Sequence, residues 1–470
     1  MSPTSAANFA SQRWLLASLL FLHCLLAIAW FISDSFTGSG FDESVVYFLH
    51  TGADGLSLSG FGYLIGSAGL LLILCLLAFI RFGRSHWLKT RSHYRGVLRI
   101  NITLLALLFA QPVFHGLVTE PVYLLASGRL PAEVDLRVPA GISLPAKQNI
   151  VFIYLEGFER TLLDEALFPG LAPNLQALER EALAFTNIGD VYGTTWTIGG
   201  MVASQCGLPL EPVADVNRPG SFMPKAVCLG DILKHNGYQT SYLGGASTRF
   251  GGKGNFYRTH QFDRVVGLEQ HLESMPLGTT PYSHWGLYDE DLFRLAGDEL
   301  QRLDASGQPF AFFMLTLDTH PPDGLPSASC SDIVYADGDS PMLNAYHCSD
   351  QMVGEFVREL LKSSIAENSL IVIASDHLAL ANGADAQLHQ AQDRRNLFLV
   401  LKANREPEVI DRQGSLLDIA PTLLSLLDAE MESFNLGRSL FSNEPTFVEE
   451  MEYPDKTMRA WTSRSWGQFY

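Results

Sequence analysis

The sequence predicts an α/β catalytic domain that follows a helical membrane region. Three apolar segments typical of buried strands end in acidic residues or histidine, and long uncharged apolar runs lie near the start of the chain. In open α/β sheets, residues that bind ligands gather outside the carboxyl ends of the strands. The chain has 470 residues, 47% of them hydrophobic, which is enough for one large domain and a second region.

The most informative of these segments is 370–375, a predicted strand that ends at Asp376 and His377. A carboxylate and an imidazole are suitable ligands for Zn²⁺ or Mn²⁺, and the loop up to His389 is long enough to return to the same ion. An Asp-His pair can also be an ordinary loop dipeptide. The prediction of a metal site therefore depends on further ligands at other strand ends.

Two more apolar segments end in the same way. Residues 149–155 lead into Glu156, and residues 310–317 lead into Asp318 and His320. Each of these side chains alone could be a helix cap or a surface loop residue. Three strand ends of this kind favour one shared metal centre at the carboxyl edge of the sheet.

The candidate nucleophile lies among hydroxyl residues that follow Gly193. Thr194, Thr195 and Thr197 precede a segment of small apolar residues that predicts a helix. A hydroxyl at this place is often only an N-cap. The positive end of a helix and its free N–H groups also favour an alkoxide and a phosphate, so the same position suits catalysis.

These residues together resemble the alkaline phosphatase/sulfatase superfamily. Within it, the run 197–209 is most similar to the membrane phosphoglycerol transferases that decorate periplasmic glucans, and the chain more distantly resembles lipoteichoic acid synthase. The resemblance covers about residues 148–430, including the segment 415–423. It implies a sulfatase-like central sheet flanked by helices.

The resemblance also implies roles for individual residues. The implied ligands of a catalytic metal ion, usually manganese with Zn²⁺ or Mg²⁺ as alternatives, are Glu156, Thr194, Asp376 and His377. Thr194 is the implied nucleophile, and Thr195 and Thr197 are neighbours that could bind the phosphate. His320 and His389 are the implied catalytic histidines, which would move a proton, or bind a second metal ion or the phosphate.

One departure from the superfamily concerns the nucleophile. Sulfatases need a cysteine in a Cys-x-Pro-Ser-Arg run, which is oxidised to formylglycine, whereas residues 193–197 read Gly-Thr-Thr-Trp-Thr. The sequence therefore argues against sulfate-ester hydrolysis. Ser204 and Cys206 fall inside the predicted helix, where packing or a disulfide is the better interpretation.

A glycine-rich segment, residues 244–258, offers cations for an anionic substrate. It contains Arg249, Lys253 and Arg258, and similar loops in lipoteichoic acid synthase place a cation on the glycerol phosphate, at the position that Lys253 matches. The alternative is a surface loop with solvated charges. The net charge of −18, with no sizeable basic stripe beyond residue 99, argues against a nucleic-acid partner.

Three apolar runs, at residues 14–33, 60–80 and about 100–117, each approach the ~20 residues that cross a bilayer. Residues 34–59 contain no Lys or Arg, whereas 81–99 contain five Arg and one Lys, so the second loop is predicted to be cytoplasmic. Three crossings then place the catalytic domain in the periplasm of a multi-pass bacterial inner-membrane protein. A topology with one cleaved or re-entrant segment would reverse this placement.

The cysteines agree with an external domain. Cys24 and Cys75 lie in predicted spans, and the other four form an even number suited to an oxidising compartment. The local pairings among the three connectivities are Cys206 with Cys228 and Cys330 with Cys348, and four buried thiols are the alternative. The predicted domains are a membrane region at 1–118, a connector at 119–147 and a catalytic domain at 148–470.

The implied reaction transfers phosphoglycerol from phosphatidylglycerol to a glycan hydroxyl through a phospho-threonine. A phosphoethanolamine transferase and a phosphodiesterase of the same fold are alternatives. A non-catalytic membrane-bound binding protein is a third, although it should lack a metal ligand and none is missing. The sequence leaves the donor head group and the acceptor open.

Overall fold

The computed structural model of the chain describes residues 3–52, 62–84, 91–114, 118, 136–137, 141–213, 216, 218–274, 283–431 and 433–470. Two compact units form: one comprises Met1–Val45 and Leu58–Arg129, and the other comprises Val46–Ser57 and Leu130–Tyr470. The segment Val46–Ser57, which the sequence assigned to the membrane region, thus belongs to the catalytic unit. Most of the predicted connector lies outside the described residues.

The helices are numbered in chain order. They are α1 (Pro3–Thr37), α2 (Glu43–Thr51), α3 (Gly62–Arg84), α4 (Arg91–Leu108), α5 (Pro112–Phe114), α6 (Pro173–Glu181), α7 (Thr197–Cys206), α8 (Leu229–His235), α9 (Lys253–Thr259), α10 (Leu268–Ser274), α11 (Asp289–Asp304), α12 (Pro341–Leu361), α13 (Ser364–Glu367), α14 (Asp385–Leu388), α15 (Ile419–Leu426), α16 (Phe447–Glu450) and α17 (Pro454–Ser465).

The strands are short and lie between these helices. They are β1 (Asn149–Leu155), β2 (Leu183–Phe185), β3 (Ile188–Gly189), β4 (Gln239–Gly244), β5 (Arg264–Val266), β6 (Phe310–Leu315), β7 (Ser369–Ser375), β8 (Phe398–Lys402), β9 (Glu408–Ile410), β10 (Gly414–Ser415), β11 (Ser433–Phe434) and β12 (Gly437–Arg438).

In the N-terminal unit, two described helices are long and apolar enough to cross a membrane, Ser11–Thr37 and Gly62–Arg84. The predicted third span differs from the structure. α4 begins well before the apolar run and ends at Leu108, and its Asn101 amide donates to Gln12 Oε1 on α1 at 2.9 Å. α4 packs on α1 through this polar contact and through the apolar pair Leu16 and Val97, and the last residues of the predicted span lie outside the described ranges.

The catalytic unit is built on an eight-stranded sheet in the order β5-β4-β6-β1-β7-β8-β2-β9. The five strands from β5 to β7 are parallel to their neighbours, whereas β8 runs antiparallel to β7 and β2. All residues of β1, β6 and β7 are buried, as expected for strands covered on both faces. The carboxyl ends of these three adjacent strands therefore share one edge.

Alternate residues of the central strands enter two separate cores. Phe152 and Tyr154 of β1 join the core that contains α7 and α15, while Val151 and Ile153 join the core that contains α11 and α12. The result is a three-layer α/β/α unit. Disulfides join Cys206 to Cys228 and Cys330 to Cys348, which are the local pairings expected from the sequence.

Candidate active site

Glu156, Asp376 and His377 meet where β1 and β7 end. The two strands pair in register from Asn149 with Ser369 to Leu155 with Ser375, so the next residue on each strand reaches the same point of the edge. One ligand atom from each of the three side chains lies within 4.8 Å of the others, and all three side chains are buried. The sequence-predicted cluster is therefore present, without Thr194.

Hydrogen bonds with backbone groups hold the side chains of Asp376 and His377 in place. The amides of Gly157 and His377 both donate to Asp376 Oδ1 at 2.9 Å, and His377 Nδ1 donates to the carbonyl of Leu378 at 2.7 Å. This bond directs the Nδ1 proton to Leu378, and the other ring nitrogen, Nε2, faces the two carboxylates. Among the described residues, Glu156 Oε1 and Asp376 Oδ2 are buried and have no hydrogen-bond partner.

Both oxygens face His377 Nε2, at 3.4 Å from Glu156 Oε1 and 3.3 Å from Asp376 Oδ2, and these three atoms form a donor set that fits a divalent cation. Burial and then the charge of Glu156 raise the pKa of Asp376 to about 7, because two buried like charges oppose each other. Burial disfavours the charged form of His377, but the carboxylates of Asp376 and Glu156 raise its pKa to about 10. Two carboxylates and one imidazole thus share one buried point, and these oxygen and nitrogen donors are those that a divalent metal prefers.

The hydroxyl beside the cluster belongs to Thr197 and not to Thr194. Thr197 Oγ1 lies 3.5 Å from Glu156 Oε2 and 3.4 Å from His377 Nε2. Thr194 is fully buried, and its hydroxyl donates to the carbonyl of Val191 at 2.7 Å and accepts from the amide of Val191 at 3.1 Å. This corrects the predicted nucleophile and metal ligand, because the Thr194 hydroxyl closes a local turn instead.

Thr197 is the first residue of α7, so its hydroxyl lies at the positive end of that helix. The helix comes very close to the carboxylate-histidine cluster because residue 200 has no side chain. A Cβ on Gly200 would lie 1.7 Å from the carbonyl oxygen of Asp376. Thr195 is half-buried two residues before Thr197, and its phosphate-binding role stays a prediction.

Of the two predicted histidines, the structure places one at the site. His320 lines the same cleft as Glu156 and Thr197, and its Nδ1 donates to the carbonyl of Pro321 at 2.9 Å. Burial lowers the pKa of His320, which favours the neutral ring with Nε2 as the acceptor. His389 is exposed just after α14 and does not line this cleft.

The glycine-rich loop delivers one of its three cations to the cleft. Lys253 is 4% exposed and lines the cleft, and its Nζ lies 5.0 Å from the centre of the Phe250 ring. Arg249 instead points outward, with 71% of its side chain exposed and an ion pair to Glu269 at 3.4 Å. Arg258 is also exposed. Both arginines therefore lie outside the candidate site.

The sequence did not indicate His284, Trp285 or Phe250, which also line the cleft. The Trp285 ring packs on His320 with 3.7 Å between ring centres, so it fixes the orientation of that imidazole. A His-Trp-Gly run in a loop was the available signal. It follows no strand, so the strand-end argument could not find it.

A mostly parallel α/β sheet with a carboxylate-histidine cluster at its carboxyl edge and a hydroxyl at a helix start is the arrangement of the alkaline phosphatase/sulfatase fold. The chain belongs to the sulfatase family, whose family model matches residues 148–429. Residues 3–122 match a second model, described as the N-terminal domain of phosphoglycerol transferase I.

Known proteins agree with this assignment. Phosphoglycerol transferase I of Xanthomonas euvesicatoria pv. vesicatoria (strain 85-10) is 38% identical over 450 residues, which cover 93% of this chain and 63% of that protein. The chain thus spans less than two thirds of the length of this relative. A solved protein in the alkaline phosphatase superfamily from Vibrio parahaemolyticus is 25% identical, with a TM-score of 0.54 over 64% of this chain and 71% of that chain.

A second solved structure shares the fold. The lipoteichoic acid synthase LtaP from Listeria monocytogenes has a TM-score of 0.54 and 19% identity, covering 66% of this chain and 79% of that chain. Both structural matches support the fold predicted from the sequence.

Proposed function

We propose that this chain is a membrane-anchored phosphoglycerol transferase that takes its donor group from phosphatidylglycerol and passes it to a glycan hydroxyl. The observation that carries the proposal is the Thr197 hydroxyl, which lies at a helix start beside Glu156 and His377. The similarity to phosphoglycerol transferase I of Xanthomonas supports this choice over the phosphoethanolamine and hydrolase alternatives.

Glu156, Asp376 and His377 would hold the metal ion, with Thr197 Oγ1 replacing Thr194 as the fourth ligand. The two buried carboxylate oxygens that accept no hydrogen bond and face His377 Nε2 are the feature that this ion fits. When bound, manganese or another divalent ion would lower the pKa of the threonine hydroxyl and stabilise charge on the phosphoryl oxygens. The choice of manganese comes from the family resemblance.

In the first half-reaction, Thr197 Oγ1 attacks the phosphorus and the bond to the diacylglycerol oxygen breaks. The proton that Thr197 loses balances the one that the departing diacylglycerol takes up. Phosphoglycerol is then esterified to Thr197, and the positive end of α7 stabilises the phosphate. In the second half-reaction an acceptor hydroxyl attacks the same phosphorus and releases Thr197.

Two side chains of the cleft assist these steps. Lys253, which lines the cleft, would pair with the donor phosphate as a point charge in a site otherwise rich in carboxylates. His320, whose Nδ1 is held by the carbonyl of Pro321, keeps Nε2 available to take the proton of the acceptor hydroxyl. His389 has no role in this scheme because it is exposed and outside the cleft.

The catalytic unit is proposed to lie in the periplasm of a bacterial inner-membrane protein. Two disulfides in this unit fit an oxidising compartment, and the two long apolar helices fit anchoring in a membrane. The multi-pass topology and the domain limits at 118 and 148 belong to this proposal, and the third crossing would have to include residues beyond Leu108.

The test uses the full chain purified into detergent micelles with manganese and a labelled phosphatidylglycerol, with and without a periplasmic glucan. The proposal expects diacylglycerol release and phosphoglycerol on the glucan, both lost in Thr197→Ala. Phosphatidylethanolamine serves as the competing donor.

Each alternative gives a different product pattern. If diacylglycerol is released from phosphatidylethanolamine and not from phosphatidylglycerol, the donor is phosphatidylethanolamine. Free glycerol phosphate with no labelled glucan would indicate a phosphodiesterase. Full activity in Thr197→Ala would reject the proposed nucleophile.

A further inference from the structure

The segment between the two long apolar helices contacts the loop that carries Lys253. Tyr47 of α2 is fully buried, and its hydroxyl donates to the carbonyl of Gly251 at 2.8 Å across 204 positions of sequence. The neighbouring Phe48 ring stacks on Phe250, with 5.0 Å between centres and 9° between planes. Phe250 and Lys253 both line the candidate site.

The loop needs such support because its backbone is unusual. Gly251 and Gly252 have φ values of 65° and 74°, so two successive residues adopt the left-handed conformation immediately before Lys253. Glycine adopts this conformation without steric cost but also leaves it easily. A bond from Tyr47 to the Gly251 carbonyl restrains one of these two peptide units.

The same α2 residues also reach the start of the nucleophile helix. The Tyr47 ring packs against Trp196, with 5.5 Å between centres, and Trp196 immediately precedes Thr197. A Cβ built on Gly251 would lie 3.5 Å from Ile198 and 3.9 Å from Phe48, so the loop is enclosed between α2 and α7. One short helix thus contacts the elements that carry both Thr197 and Lys253.

We propose that Tyr47 and Phe48 are positioning residues that hold the Gly251–Gly252 turn so that the Lys253 ammonium faces the donor phosphate. This inference rests on the proposed function, because it takes Lys253 as the phosphate-binding cation. It assigns to the chain between α1 and α3 a role in donor affinity, in addition to joining two apolar helices.

The test measures KM for phosphatidylglycerol and kcat for diacylglycerol release with the full chain in mixed micelles. Tyr47→Phe removes the hydroxyl and keeps the ring on Trp196. We expect a KM increase of roughly fivefold, the effect of one hydrogen bond, with kcat nearly unchanged. Phe48→Leu removes the stack on Phe250 and should raise KM in the same way.

A matched control separates positioning from general stability. Tyr238 is also buried, and its hydroxyl donates to the carbonyl of Gln148 at 2.9 Å, in a part of the unit that does not line the cleft. Tyr238→Phe should lower the melting temperature about as much as Tyr47→Phe while leaving KM at the wild-type value.

The double variant tests the proposed path through Lys253. In a Lys253→Ala background, Tyr47→Phe should add no further increase in KM, because the turn then positions no cation. If Lys253→Ala raises KM but Tyr47→Phe alone does not, the inference is wrong and the proposed function stands. Unchanged KM in Lys253→Ala would reject the phosphate contact and the inference with it.

Discussion

The strand ends and the glycine turns of the catalytic unit differ in how they position functional side chains. At the strand ends, Glu156 and Asp376 meet because β1 and β7 pair in register up to the preceding residues. In the turn after Gly193 and at the start of α7, threonines three positions apart are oriented differently: Thr197 lies beside the cluster, while Thr194 bonds to Val191. Strand register determines which residues of neighbouring strands lie side by side. In a turn, the position of a side chain depends only on the local backbone conformation.

The largest effect should come from the strand-end cluster. Asp376→Asn keeps the shape of the side chain but removes the charge of a proposed metal ligand. Loss of a residue that only orients a metal ligand lowers metal affinity by up to about a hundredfold, so manganese affinity should fall by more than this in Asp376→Asn. Calorimetric titration of the purified full chain measures it. Glu181→Gln, an exposed carboxylate of the same unit, is the control. Manganese binding at wild-type affinity in Asp376→Asn would show that this cluster does not bind the metal ion.

The next largest effect should come from His320, and substitution of His389 should have none. His320→Ala should lower kcat by about a hundredfold, the lower range for a lost proton-transfer group. His389→Ala should leave kcat unchanged, because His389 is exposed outside the cleft. Steady-state rates of phosphoglycerol transfer to glucan measure both variants. Equal losses in the two variants would contradict the placement of His389.

Substitutions of the cations in the glycine-rich loop should have smaller effects, which differ between Lys253 and Arg249. Lys253→Ala should raise KM for phosphatidylglycerol roughly tenfold or more, as expected for a lost contact to a charged group. Lys253→Arg should keep part of the activity, and Lys253→Glu should abolish it. Arg249→Ala is the matched control from the same turn, and its KM should equal that of the wild type because its side chain is 71% exposed.

The smallest effect should be a pH dependence of donor binding. Burial lowers the pKa of Lys253 to about 8, although the charges of Glu156 and Asp376 oppose the shift. Lys253 therefore loses its proton as the pH rises through about 8, and KM for the donor should rise above that pH. Lys253→Arg keeps its charge, so its KM should stay flat from pH 7 to about 9.5. An equal rise in both proteins would assign the titration to another group.

The sequence predicted the α/β class, the strand-end cluster and both disulfide pairings, because apolar runs and local cysteine spacing carry that information directly. It could not predict that Thr194 turns back onto Val191, since this depends on a turn with no periodic pattern. It also did not predict α2, a short segment that lies between two apolar runs and resembles an ordinary membrane loop in sequence. Only the structure shows that Tyr47 of α2 bonds to Gly251.

The central claim is that Thr197 is the residue that becomes phosphorylated. The direct measurement is peptide mass spectrometry of the full chain after incubation with phosphatidylglycerol and manganese in the absence of acceptor, comparing wild type, Thr197→Ala and Thr194→Ala. The account predicts a phosphoglycerol mass on Thr197, its loss in Thr197→Ala and its persistence in Thr194→Ala. A phosphoglycerol group mapped to Thr194, and retained in Thr197→Ala, would contradict the account.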